Sequence, residues 1–323
     1  MRFFYFFAFA MFFLASFALV SAQTPINQNA QPMPAAASIA ACNPQADRLL
    51  ISEWNSGNVL ALCQDYTGKT VVKTTVPAPA VQQLLPLYDE NTFLSYSGSG
   101  KLRWHTPQAS YQWLVPAGGR LASDGRSGLT LTHPWEKEKW SLTLFHDGWY
   151  DAVRVDSGML CTAETAAGDL QVCVMGNDKT VLVSRTTDFA GHREYRQLAF
   201  DQFPVGAVQI NGRIYVLLAA EFIYPPCDQP ICSMPPSSVI PGRLVELRFD
   251  YGQSEATQRV VLDGLRVEPI MNEQKMTSSK DAIYFAAGQS LVVKFVPTTG
   301  KAGIFYDAGP NTHIGAVAAI SGN

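Results

Sequence analysis

Three glutamates stand where carboxylate chemistry could be done. Glu53, Glu164 and Glu221 each follow a short apolar run and occupy comparable places in their segments. Two carboxylates brought together by a fold can serve as the acid and base of a hydrolysis. As plain surface carboxylates they need no role. A second cluster, His146-Asp147-Gly148-Trp149-Tyr150-Asp151, gathers an imidazole, two carboxylates and two aromatic rings around a turn. Its His146, Trp149 and Tyr150 suit stacking on a sugar ring with hydrogen bonds to its hydroxyls. The same string also reads as an Asp-Gly hairpin with Trp149 in the core. A third feature is the segment 222–242, FIYPPCDQPICSMPPSSVIPG, rich in proline and holding two cysteines. Proline fixes φ and removes a donor, so this is a rigid loop inserted between strands. Rigid loops lose little entropy on docking, which makes Phe222, Ile223, Tyr224, Ile231 and Met234 candidate apolar anchors. The alternative is that the loop folds down over one end of the molecule and buries them.

The chain carries no G-x-S-x-G elbow, H-E-x-x-H, P-loop or strand-to-helix G-x-G-x-x-G. Its five histidines, His105, His133, His146, His192 and His313, have no ligand spacing, so neither a metal site nor a cofactor is expected. Charged residues make up 16% of the 323, with 24 Lys plus Arg against 27 Asp plus Glu, a formal charge of -3. No basic cluster appears, which removes the electrostatic footprint of a nucleic-acid binder.

Arg2, an apolar run to Val20, and the small residues of Val20-Ser21-Ala22 read as a secretory signal over residues 1–22. An uncleaved anchor is the rival reading, since eighteen apolar residues nearly cross a bilayer. After cleavage no segment could span a membrane. Residues 23–46 are rich in Gln, Pro and Ala and form a flexible leader, leaving 47–323 as the folded domain. All six cysteines lie beyond the signal, in a compartment that permits oxidation, and fall as local couples: Cys42 with Cys63, Cys161 with Cys173, Cys227 with Cys232. The expected location is periplasmic or secreted.

From residue 47 onward the pattern is short alternating runs, such as Leu129-Thr130-Leu131-Thr132 and Ser141-Leu142-Thr143-Leu144, separated by Asn55-Ser56-Gly57, Asn211-Gly212, Asp263-Gly264 and similar turns. The mature chain reads as all-β. An apolar strand, a glycine turn and a second strand recur, with units starting near Leu49, Thr92, Leu129, Met159, Ile214 and Asp281. On this pattern the chain resembles a β-propeller. The resemblance implies six blades, with five or seven as alternatives, a ring closed by Ile314-Gly315-Ala316-Val317-Ala318-Ala319-Ile320 joining the N-terminal unit at Leu49, and no open sheet edge. A tandem β-sandwich is the alternative architecture. The function expected is that of an exported, non-catalytic binding or scaffold module with a protein or glycan partner; a propeller hydrolase and a cell-envelope assembly component are the alternatives.

Overall fold

The computed structural model describes residues 42–123, 129–133, 138–145, 149–155, 163–167, 170–174, 179–186, 193–224, 236, 238–248, 256–270 and 273–320. They form a six-bladed β-propeller of six four-stranded antiparallel sheets. Blade 1 places Ile314–Ile320 innermost, followed outward by Arg48–Glu53, Asn58–Gln64 and Thr70–Pro77. The other blades take four consecutive strands each, from the axis outward. Their innermost strands are Val81–Asp89 (blade 2), Arg120–Ser123 (blade 3), Ala163–Ala167 (blade 4), Pro204–Ile210 (blade 5) and Met276–Ser278 (blade 6). Blade 5 is interrupted after its second strand, Arg213–Leu218, by a small hairpin of Glu221–Ile223 with Ser238–Ile240.

The last strand closes the ring as expected from the sequence. It pairs antiparallel with Arg48–Glu53 from Arg48↔Ile320 to Glu53↔Ile314, with one irregularity at Ser52/Glu53. Gly315 is required there. A Cβ at this position would collide with the Trp54 indole and the Val81 carbonyl, which are joined by a hydrogen bond of 2.8 Å from Trp54 Nε1.

The apolar residues are spent between blades. Leu49 and Ile51 pack towards blade 6, against Tyr284 and Val292, while Leu50 between them packs towards blade 2, with Val81 and Phe93. The same alternation gives Ile283 and Phe285 to the blade 5 interface and Tyr284 and Ala286 to that of blade 1. A second strand is therefore covered on both faces and reads as a continuous apolar run. Each such side chain contributes about 1.5–3 kcal/mol by burial, so removing one loosens two blades at once. Turn chemistry completes the local picture: Asn211 (φ 51°) and Gly212 (φ 72°) give the two positive angles of a tight hairpin between the first two strands of blade 5.

The Cys42–Cys63 disulfide is present and ties the start of the described chain to blade 1. Cys173 is also disulfide-bonded. Cys161, Cys227 and Cys232 lie outside the described residues. Among the described residues no helix is long and apolar enough to cross a membrane.

Candidate functional site

Because neighbouring strands run antiparallel, the start of every innermost strand and the end of every second strand share one face of the ring. Glu53 ends the second strand of blade 1, Glu221 follows that of blade 5, and Glu164 lies near the start of the innermost strand of blade 4, so all three belong to this face. In blade 3 the end of the third strand at Leu144 and the start of the fourth at Tyr150 belong to the opposite face. The two binding candidates of the sequence are thus on different faces.

Glu53 accepts hydrogen bonds from Tyr306 Oη (2.8 Å) and Ser56 Oγ (2.9 Å). Burial, and then the Glu53 charge, push the Tyr306 hydroxyl well above its ordinary range. Glu221 pairs with Lys179 Nζ at 3.1 Å, and the same ammonium donates to the Asp201 carbonyl at 2.7 Å and lies over the Phe203 ring. Blades 1 and 5 are separated by blade 6, and among the described contacts nothing joins the two carboxylates. They therefore do not form the closely spaced acid and base pair that glycoside hydrolysis uses. Only the backbone of Glu164 is described.

A fully buried carboxylate, Glu273, lies just before the innermost strand of blade 6. His313 Nε2 lies 2.8 Å from its Oε1, and Lys275, itself 1% exposed, forms an ion pair with its Oε2. Glu268 approaches the other ring nitrogen of His313 at 3.8 Å, and Trp54 packs edge-on against that ring. Next to this cluster is a central cavity of about 140 Å³ lined by side chains of blades 2, 3, 5 and 6, among them Gln83, Arg120, Thr132, Gln274 and Lys275. Burial lowers the Arg120 pKa to about 10, with the Glu273 charge opposing the shift. Neither Arg120 nor the Glu273 cluster belongs to any sequence motif. His313 alone was within reach, since it immediately precedes the strand identified as innermost.

The inserted hairpin presents a different surface. Phe222, Ile223, Tyr224, Val239 and Ile240 are 37%, 42%, 61%, 43% and 43% exposed. Its base is fixed. The buried Gln202 donates to the Pro241 carbonyl at 2.7 Å and accepts from Arg243 Nε at 2.9 Å. In this described portion the apolar side chains are partly exposed. Ile231 and Met234 lie outside the described residues, as does His146. Trp149 is 45% exposed, so it is not the core residue of the hairpin reading; its carbonyl accepts from Trp113 Nε1 at 3.0 Å. Tyr150 is half-buried against the core between blades 2 and 3. His105 is structural: it stacks on Phe93 at 4.5 Å and shares a 2.8 Å hydrogen bond with Ser95 Oγ. His133 lies on the second strand of blade 3, and His192 is outside the described residues.

No known protein family's sequence profile matches the chain, and no curated protein matches it. Solved structures do. A nidogen/laminin complex contains a chain with TM-score 0.55 and 11% identity, matched over 85% of this chain and 98% of that one. A putative 6-phosphogluconolactonase from Bacteroides fragilis gives TM-score 0.55 and 10% identity, over 85% of this chain and 98% of that one. At such identities the similarity is one of fold, and these neighbours, one a binding complex and the other named as an enzyme, share the propeller and not a chemistry.

Proposed function

We propose that the chain is an exported protein-binding module whose docking element is the hairpin of blade 5. One observation carries this reading: five apolar side chains stand exposed on an element anchored at its base by a buried glutamine. Exposed apolar clusters on a rigid support are typical of protein interfaces. The mixture of Ile, Val, Phe and Tyr suits a protein partner better than a glycan, which calls for flat aromatic faces edged by polar groups. Residues 1–22 act as the export signal and residues 23–46 as a leader, an arrangement that suits the periplasm or the cell exterior. The Cys42–Cys63 bridge is consistent with that address.

The test is site-specific photo-crosslinking in the native host. A benzophenone side chain at position 224 should give one defined protein adduct, and the same label at Ile304, 65% exposed on the outermost strand of blade 6, should not. The adduct should vanish when Phe222→Ser and Ile240→Ser are combined. Identical products from positions 224 and 304, or none from 224, would overturn the reading. Amino-terminal sequencing of the exported protein checks the signal: a start at Gln23 is expected, and retention of residues 1–22 refutes it.

A further inference from the structure

Three neighbouring strands of blade 5 collect an uneven set of charges on one face of their sheet. The second strand, Arg213–Leu218, the third, Gly242–Arg248, and the fourth, Thr257–Leu265, set Tyr215 opposite Glu246 and Glu246 opposite Arg259. Side chains two residues apart on a strand share a face, so Arg213 joins Tyr215 and Arg248 joins Glu246. Tyr215 packs into the core between blades 5 and 6, its ring edge-on to Phe295, so this face is the one turned towards blade 6.

Glu246 is fully buried, and cations crowd both of its oxygens. Oε1 meets Arg213 Nη1 at 3.3 Å and Arg248 Nε at 3.0 Å, while Oε2 meets Arg259 Nε at 2.9 Å and Arg259 Nη2 as well. Burial by itself would raise the Glu246 pKa, but the hydrogen bonds from Arg248 and Arg259 outweigh it and hold the carboxyl below its ordinary range. Burial, and then the Glu246 charge, raise the Tyr215 hydroxyl above its own range, so that ring adds no second negative charge. Three guanidiniums against one carboxylate leave a local charge of +2. Among the described residues none of the three arginines pairs with a second carboxylate.

Neutralising Glu246 needs only one of them, and the two-nitrogen grip of Arg259 supplies it. Arg213 and Arg248 are 53% and 46% exposed, so solvated that their ion pairs contribute little stability. A carboxylate offers about four lone-pair positions, which four guanidinium nitrogens fill, whereas three guanidiniums carry roughly fifteen N–H donors. One from Arg213 goes to the Tyr215 hydroxyl. Most of the rest, on side chains about half exposed, are left for solvent or for an anion from outside. Glu246 thus holds together three planar forks that would otherwise repel one another, and preorganised forks of this kind match the oxygens of a phosphate. A phosphate monoester carries about −1.5 to −2 at pH 7, which answers the surplus.

We propose that Arg213, Arg248 and Arg259 form a binding site for a doubly charged oxyanion of the phosphate-monoester class, delivered by a soluble molecule or by a lipid headgroup. The hairpin follows the far end of the strand that Arg213 begins, so the two sites are separate and neither depends on the other.

Two probes distinguish the sources: calorimetric titration of the exported chain with inorganic phosphate at low ionic strength, and co-sedimentation with phosphatidylcholine vesicles with and without phosphatidic acid. Saturable binding of at least one anionic probe is expected, with a Kd for phosphate on the order of 1 mM or tighter. Phosphate binding alone assigns a soluble ligand. Sedimentation that requires phosphatidic acid assigns a headgroup. Arg213→Gln combined with Arg248→Gln leaves the Arg259 fork on Glu246 and should weaken binding at least about tenfold. Lys101→Gln combined with Arg154→Gln removes the same charge from exposed positions on blades 2 and 3 and should leave affinity within about twofold. Binding of neither probe, wild-type affinity in the first double variant, or equal losses in both double variants would overturn the proposal. If the first double variant does not fold, Arg213→Gln alone decides: severalfold weaker binding supports the site, and unchanged binding refutes it.

Discussion

Replacing His105 by Gln should remove a defined part of the acid sensitivity of the fold. His105 is 1% exposed on the third strand of blade 2, stacked on Phe93 and bonded to Ser95. Burial, reinforced by the nearby Arg103 charge, lowers its pKa from 6.5 to about 3. The folded protein therefore holds this ring neutral while the unfolded chain protonates it, so unfolding takes up a proton anywhere between those two values. Stability from this source is complete above pH 6.5 and falls as pH drops towards 3. At ~1.36 kcal/mol per pH unit, going from about pH 7.5 to about pH 5 crosses 1.5 units of that window and costs about 2 kcal/mol. Most carboxylates stay ionised over the same range, and other histidines contribute equally to both proteins. Urea unfolding followed by tryptophan fluorescence at the two pH values reads the difference. With a slope near 2 kcal/mol per molar, the wild-type midpoint should drop about 1 M further than that of His105→Gln. Equal drops in the two proteins would mean that His105 is not held neutral, and the argument would fail.

Three other outcomes follow from the same contacts. Gly315→Ala forces a methyl group against the Trp54 indole and Val81 carbonyl at the ring closure and should destabilise by about 1–3 kcal/mol, seen as a lower thermal midpoint. Cys42→Ser together with Cys63→Ser opens a loop with a sequence separation of 21 and should cost about 3 kcal/mol, with a reducing agent lowering the wild-type midpoint as well. Phe222→Ser with Ile240→Ser should change unfolding free energy by no more than about 0.5 kcal/mol, because both side chains are already partly solvated; a large loss would show that the hairpin is structural.

The parts of the fold legible in the sequence were those with one environment repeated around the ring. The units that begin near Leu49, Thr92, Leu129, Ile214 and Asp281 correspond to the second strands Arg48–Glu53, Thr92–Ser97, Leu129–His133, Arg213–Leu218 and Ile283–Ala287, whereas the start near Met159 lies outside the described residues and the second strand of blade 4 is Leu170–Val174. These lie between two neighbouring blades and must be apolar on both faces. Innermost strands are harder to see. They are as short as three or four residues in blades 6 and 3, and they carry Gln83, Arg120 or Gly206 where they meet the cavity or a neighbour across it. The candidate cavity is assembled from four blades, so no local spacing announces it. Glu53 and Glu221 lie at or just after the end of a second strand, whereas Glu164, expected in a comparable place, is the second residue of the innermost strand Ala163–Ala167; what Glu53 and Glu221 touch, Tyr306 and Lys179, comes from other blades and follows from tertiary contacts alone.

Ring closure by Ile314–Ile320 also sets an order of events during biogenesis. The partner of Arg48 is Ile320, so the first strand formed by the chain waits for the last before blade 1 has its inner neighbour. Pairing across so long a separation is slow, since folding rates fall as contacting residues lie farther apart in sequence. During that interval Arg48–Glu53 offers an unpaired edge to any other extended chain. A polypeptide emerging amino end first is thus in most need of a chaperone, or of isolation from its copies, until Ile314–Ile320 has emerged.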